Sequence, residues 1–195
     1  MGQRQFKPEE TAESVSVEQA VSRLDVDALG EVAGTAFDHA GELAAFEFGH
    51  TAAVLGAIRL ASRRSRHATL ECERLAAVFD VDPDSIRGAD AMIASHLTPP
   101  ADAAEIRTLR RHLIVTEELL TAVRSATQPR PNCRPALAAA APWLLGRAEQ
   151  ATTRPDDDAI GLDERALRTH AARIRRDLEL ARLGTKLHAL VVEER

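Results

Sequence analysis

Aromatic residues are almost absent from this chain, and their scarcity limits what its interior can be made of. The 195 residues include five Phe, one Trp and no Tyr, although 45% of them are hydrophobic. The core must therefore be built from Leu, Val, Ile and Ala, which fill space well when helices pack at close range. No stretch alternates apolar and polar residues with a period of two for more than a few residues, as strands require. The sequence predicts an all-α protein, a multi-helix bundle.

Helix start and stop signals recur along the chain. Ser16 followed by Gln19 is a capping-box pattern, and Asp82-Pro83 and Asp102 are typical helix starts. Gly49 is expected to end one helix, and Thr51 to cap the next. The helices are predicted over residues 17–24, from 25 or 27 to a break at 38–41, then 42–48, 51–65, 69–79, 83–95, 102–127, 136–149 with a kink at Pro142, and 163–192.

Thr98-Pro99-Pro100 is a rigid break and predicts a domain boundary. It separates a polar tail (1–15) and a helical domain (16–97) from a second helical domain (101–195). The long helices of the second domain have wide apolar faces, which predict a dimerisation or effector domain and a homodimer. Those helices are also a candidate surface for another protein partner.

Charge and cysteine content restrict the classes of function. The net charge of −5 and the isoelectric point near 5.8 argue against a protein that coats nucleic acid with its whole surface, so any polyanion contact must be local. Cys72 and Cys133 are far apart and predict ordinary reduced thiols. With no charged-then-apolar leader and no apolar run of about 20 residues, we expect a cytoplasmic protein with no membrane partner. No cofactor motif is found.

One local reversal of charge is the best functional signal in the sequence. Residues 50–70 contain four arginines and no acid, whereas residues 1–49 hold ten acids and residues 71–100 hold six. A negatively charged partner is expected to bind this stretch. The four arginines are Arg59, Arg63, Arg64 and Arg66.

The segment from Glu42 to Ile86 resembles the helix-turn-helix of phage-repressor-type (Xre-like) DNA-binding domains. Glu42-Leu43-Ala44 matches the start of the scaffold helix, Gly49 the turn, Thr51–Leu60 the recognition helix, and Val81-Asp82-Pro83 the closing turn. The resemblance implies a transcriptional regulator that binds double-stranded DNA. His50 and Thr51 would lie nearest the bases, and Arg59, Arg63, Arg64 and Arg66 would hold the phosphates.

Two alternatives remain open at this stage. The first is a non-enzymatic helical scaffold or adaptor in a larger assembly, in which the same arginines contact an acidic protein. The second is a helical enzyme. Its candidate metal ligands are Glu47 and His50, because an ExxH spacing puts both groups on one helix face, and its candidate His/Arg pairs are Arg107 with His112 and Arg165 with His170. The run Asp156–Asp158 is interpreted as a soluble loop.

Overall fold

The computed structural model describes residues 15–124 and 164–193, and this part of the chain is all-α, with no strand. Eight α-helices and one 3-10 turn, Asp27–Leu29, lie in it. The all-α prediction is confirmed. The helices are α1 (Val17–Arg23), α2 (Gly30–Phe48), α3 (His50–Arg64), α4 (Cys72–Phe79), α5 (Pro83–Ser95), α6 (Ala103–Arg124), α7 (Glu164–Leu183) and α8 (Thr185–Glu193).

The chain divides into two compact units at the proline pair. Among the described residues, the first unit comprises 15–99 together with 186–193, and the second comprises 100–124 with 164–185. The last helix therefore belongs mostly to the first unit, where the Lys186 ammonium donates to the His96 carbonyl at 2.9 Å.

Local signals place most helix starts correctly. The Ser16 hydroxyl accepts from the backbone N–H of Gln19, and the Gln19 side chain accepts from the N–H of Ser16, which is the predicted capping box. Asp82 caps α5 ahead of Pro83. Asp102 accepts from the N–H groups of Ala104 and Glu105 at the start of α6. These caps satisfy backbone donors that the first turn of a helix leaves unpaired.

The predicted break at residues 38–41 is wrong. Helix α2 runs without interruption from Gly30 to Phe48. Ala36, Ala40 and Ala44 are buried at one face of it, and the ring of Phe37 covers Gly41 so closely that a Cβ there would overlap it. Packing of this small-residue face outweighs the weak helix propensity of the local sequence.

Gly49 is the only residue between α2 and α3. Its backbone has φ 87° and ψ 151°, a region that is essentially closed to residues with a Cβ. The prediction that Gly49 ends a helix is therefore confirmed. The predicted cap at Thr51 is wrong, because α3 already begins at His50 with Gly49 as its N-cap.

Helix α3 lies at the centre of the first unit and packs against α1, α2, α4 and α5. Eleven of its fifteen residues are buried. Its apolar side chains join α1 and the start of α2 in one core with α4 and α5. The fully buried large side chains of this core are Leu29, Leu55, Ile58, Leu75 and Ile86.

Helices α3 and α5 approach each other closely at Gly56. A Cβ placed on Gly56 would lie 2.8 Å from the backbone nitrogen of Asp90 and 2.9 Å from the Cβ of Ala89. Only a glycine allows the two backbones to come so near. This contact also brings Asp90 close to the residues that follow Gly56 on the same face of α3.

In the second unit, α6 and α7 pack as an antiparallel pair. Arg124 bonds Glu164 at 2.8 Å, Arg175 bonds Glu117 at 2.6 Å, and the N–H of Ala101 donates to the carbonyl of Ala181. Residues at one end of α6 thus meet residues at the opposite end of α7. The apolar seam between the helices contains Leu113, Ala171, Ile174 and Leu178, with Ile106 and Leu109 beside them.

Two further helix boundaries differ from prediction. The helix predicted over 163–192 is divided into α7 and α8 at Gly184, whose φ of 78° ends a helix in the left-handed region. Helix α4 begins at Cys72 rather than residue 69. The predictions for residues 1–14, Cys133, the Ala-rich helix with Pro142 and the loop with Asp156 lie outside the described residues. None of the described helices combines the length and apolar content needed to cross a bilayer.

We predict that Gly56→Ala lowers the free energy of unfolding by about 1–2 kcal/mol. The new methyl group meets backbone atoms of α5, and such overpacking costs about 1–3 kcal/mol, partly offset by the better helix propensity of Ala. Urea unfolding followed by circular dichroism measures the change. Gly34→Ala is the matched control, because nothing lies within 4 Å of its Cβ position. It should stabilise the helix slightly, and an equal loss in both variants would contradict the packing explanation.

Candidate nucleic-acid interface

The two residues expected nearest the DNA bases lie at the start of α3. His50 is exposed, and its ring packs edge-on against Phe37 with the centroids 5.4 Å apart. Thr51 is half-buried. Beyond them, every residue from Ala52 to Ile58 is buried. The face that would have to read bases is therefore limited to the first turn of the helix.

Two of the four arginines expected to hold phosphates are bound to Asp90. Arg59 and Arg63 follow Gly56 at positions i+3 and i+7, so all three residues face α5. Arg59 bonds one oxygen of the Asp90 carboxylate, and Arg63 bonds the other at 2.5 Å. Asp90 is only 2% exposed, and the two guanidinium groups supply the counter-charge that a buried carboxylate needs.

The other two arginines differ from each other. Arg64 is buried and donates to the carbonyl of Thr98 at 3.1 Å. Burial lowers the pKa of this guanidinium, and the neighbouring Arg63 lowers it further, while Asp90 raises it. Arg66 follows the end of α3 in an exposed turn. Of the predicted phosphate contacts, Arg63 and Arg66 are exposed, Arg59 is half-buried and Arg64 is buried.

These positions make α3 the central helix of its unit rather than a projecting recognition helix. A recognition helix must lie in the major groove of DNA, and α3 is enclosed by four neighbouring helices. In addition, α2 and α3 are joined by one residue, whereas the turn of a helix-turn-helix has three or four. The expectation that four arginines project from α3 as one free cluster is corrected by the ion pairs with Asp90.

The predicted metal-binding spacing also fails on geometry. Glu47 lies in the last turn of α2 and His50 in the first turn of α3, so the break at Gly49 removes them from a common helix face. Within residues 15–124 and 164–193, no group of three or more His, Cys, Asp or Glu side chains is arranged to hold a metal ion.

A second group of arginines lies on α6. Arg107, Arg110 and Arg111 are exposed and recur at helical spacing, followed one turn later by Ile114, which is 50% exposed. This row lies to one side of the α6 residues that pack against α7, namely Ile106, Leu109 and Leu113. No carboxylate of the described residues forms an ion pair with these three arginines.

Helix α7 adds one arginine on the same side of the pair. The bridge between Arg175 and Glu117 fixes which sides of the antiparallel helices adjoin. Arg176 is also exposed, but it lies on the side of α7 opposite to Ala171, Ile174 and Leu178, which face α6. We call Arg107, Arg110, Arg111 and Arg175 the arginine face.

Charge is distributed unequally between the two units. The described residues of the second unit hold ten arginines against seven acids, whereas those of the first hold fourteen acids against eight basic residues. Local density along the sequence missed the arginine face, because its α6 and α7 arginines are more than sixty positions apart in the sequence. The i, i+3, i+4 spacing of Arg107, Arg110 and Arg111 is the signal that would have identified its first half.

Two histidines approach each other near the α6–α7 seam. Burial lowers the pKa of His170, Arg173 and His112 lower it further, and Asp177 raises it. His112 and His170 belong to the two predicted His/Arg pairs. The arginines of those pairs, Arg107 and Arg165, are exposed and, five residues away, lie about 140° around the helix from their histidines.

Helix α2 has an acidic side. An open groove of about 440 Å³ between α1 and α2 is lined by Glu18, Asp27, Glu31 and Asp38. Further along the same side of α2 lie Glu42 and the exposed pair Leu43 and Phe46. Phe46 is 96% exposed and Leu43 is 55% exposed, which is unusual for large apolar side chains on a well-packed helix.

Comparison of the chain with family models, with curated proteins and with solved structures found no match.

We predict that Asp90→Asn lowers the free energy of unfolding by about 3 kcal/mol. Removing one partner of a buried ion pair leaves the other uncompensated and costs about 3–5 kcal/mol; the lower end applies because Arg63 is 41% exposed. Chemical denaturation measures the change in the free energy of unfolding. Asp84→Asn breaks the exposed pair with Arg87 and should cost less than about 1 kcal/mol. Equal losses of unfolding free energy in the two variants would show that Asp90 is not a core contact.

We predict that acid destabilises the second unit through His170. Its folded-state pKa is below the ordinary value of 6.5, so the unfolded chain binds the proton first. The contribution is fully present above pH 6.5 and is lost as the pH falls from 6.5 toward the lower folded pKa. His170→Gln should reduce the slope of unfolding free energy against pH in this window. Thr169→Gln, at an exposed and non-titrating neighbouring position of α7, should leave the slope unchanged. An unaltered slope in His170→Gln contradicts the assignment.

Proposed function

We propose that this protein is a non-enzymatic, sequence-independent DNA-binding protein that holds the phosphates of double-stranded DNA on the arginine face of α6 and α7. The proposal keeps the polyanion partner inferred from the sequence but moves its site from the first unit to the second. Phosphate anchoring by an arginine cluster remains the mechanism.

One observation carries the proposal: Arg107, Arg110 and Arg111 are exposed and have no carboxylate partner among the described residues. Arginines paired with acids lose much of their attraction for a phosphate, as Arg59 and Arg63 do at Asp90. A guanidinium group that is free of such a pair forms strong bidentate hydrogen bonds with phosphate oxygens. The i, i+3, i+4 spacing holds these three groups on one face of α6.

The composition of this surface favours a duplex over a single strand. Proteins that bind single-stranded nucleic acid stack the bases on aromatic side chains. The described residues of the second unit contain no Phe, Trp or Tyr, so base stacking on aromatic rings is not offered there. Contacts to the phosphates of a duplex need only cations at a suitable spacing.

The same surface favours binding without sequence preference. Asn and Gln, which read adenine in the major groove, are absent from α6 and α7. Arginine also reads guanine, but this contact requires a helix that enters the major groove. Helices α6 and α7 instead present their arginines from the side of a packed pair. An architectural role in coating or bridging DNA follows more directly than recognition of an operator. The proposal places the protein in the cytoplasm.

A scaffold or adaptor role is a second candidate function, and the exposure of Phe46 favours it. An almost fully exposed Phe beside Leu43 on a rigid helix is typical of a protein contact. A direct test is whether Phe46→Ser abolishes association with a protein partner while leaving the circular dichroism spectrum unchanged.

We predict that replacing Arg107, Arg110 and Arg111 by Ala weakens binding to a mixed-sequence DNA duplex by at least tenfold at low salt. Each arginine that contacts a phosphate releases counterions, so the slope of log K against log salt should fall by about 0.9 per contact. Fluorescence anisotropy between about 50 and 200 mM salt measures both quantities.

The matched control replaces Arg66 and Arg74, which are exposed arginines of the first unit. This variant should bind DNA like the wild type. If the wild type binds no duplex at low salt, the proposed function is wrong. If the control loses binding and the triple variant does not, the DNA-binding site lies in the first unit near the end of α3.

A further inference from the structure

The acidic side of α2 forms a continuous surface that ends in exposed apolar side chains. Asp38, Glu42 and Phe46 follow one another at four-residue steps and therefore lie in one line along the helix. Leu43 lies beside this line, and all four side chains are exposed. We call Asp38, Glu42, Leu43 and Phe46 the acidic strip. No described residue forms an ion pair with Asp38 or Glu42.

The exposure of Phe46 is specific to this position on α2. The other two Phe of the helix face inward or sideways: Phe37 packs on Gly41 and His50, and Phe48 packs on Gly88. Only the Phe in line with the two acids projects fully into solvent. Its partner must therefore combine an apolar contact with positive charge.

The arginine face has that combination. On α6, three arginines precede Ile114 within two helical turns, so that an exposed apolar side chain adjoins a cationic row. On α2, the acids Asp38 and Glu42 precede the exposed apolar side chain of Phe46 in the same way. The two surfaces are opposite in charge, and each has an apolar group at one end. Such complementarity selects a partner and its orientation.

We infer that the acidic strip of one copy binds the arginine face of a second copy of this chain. Each copy carries both surfaces, so each of two copies offers the other an acidic strip and an arginine face.

A regulatory consequence rests on the proposed function. If the arginine face also binds duplex DNA, then the acidic strip and the phosphates compete for the same guanidinium groups. Self-association then weakens DNA binding, and DNA dissociates the dimer. By linkage, each ligand lowers the affinity of the other by the same factor.

A charge-exchange experiment tests the contact between copies. One variant carries Asp38→Arg and Glu42→Arg, so that both of its surfaces are basic. The second carries Arg107→Glu, Arg110→Glu and Arg111→Glu, so that both are acidic. All five positions are exposed, and circular dichroism checks that both variants are folded. Sedimentation velocity at low salt measures the mass of each variant alone and of the equimolar mixture.

The expected result is that the wild type forms dimers, that neither variant associates by itself, and that the mixture forms a complex of two chains. Phe46→Ser should weaken the wild-type dimer by at least tenfold without changing its circular dichroism. A mixture that stays monomeric, or a Phe46→Ser variant that dimerises like the wild type, overturns the inference.

The proposed function is tested separately in the same samples. Phe46→Ser should bind a DNA duplex more tightly than the wild type, because the competing strip is weakened. If no variant binds a duplex while the mixed complex still forms, the DNA-binding proposal fails and the contact between copies stands. If DNA binds but the mixture does not associate, the DNA-binding proposal stands and the contact between copies fails.

Discussion

The buried carboxylate of Asp90, held between Arg59 and Arg63, is the interaction on which the first unit depends. It lies where Gly56 lets α3 and α5 approach closely. A carboxylate in this position is tolerable only because two cations neutralise it, and those cations are in turn fixed against α5. Two of the arginines that look most available in the sequence are therefore used inside the fold.

The sequence predicted those features whose causes are local. The capping box at Ser16, the caps at Asp82 and Asp102 and the helix end at Gly49 depend on residues within a few positions of one another. The predicted break at residues 38–41 was wrong because the helix continues there through burial of the face with Ala36 and Ala40, which is a tertiary effect. The pairing of Arg59 with Asp90 joins residues 31 positions apart. A linear reading of charge cannot detect such a pair, nor an arginine face assembled from two helices.

The opposite charges of the two units connect the fold with both proposals. A chain of net charge −5 can still carry a cationic surface, because most of its excess acid lies in the first unit and the second has an excess of arginine. In the proposed function, the arginine-rich second unit binds the DNA phosphates. In the proposed self-association, the acidic strip competes for the same guanidinium groups, and both proposals predict that salt weakens the contact.

The central claim is that the functional arginines are on α6 and α7, whereas those of α3 are structural. Chemical footprinting of the folded protein with an arginine-specific dicarbonyl reagent, with and without a DNA duplex, tests it most directly. The account predicts that Arg107, Arg110 and Arg111 react in the free protein and are protected by DNA, while Arg59 and Arg64 react in neither sample. Reaction of Arg59 and Arg64 in the free protein, with protection by DNA, would contradict it.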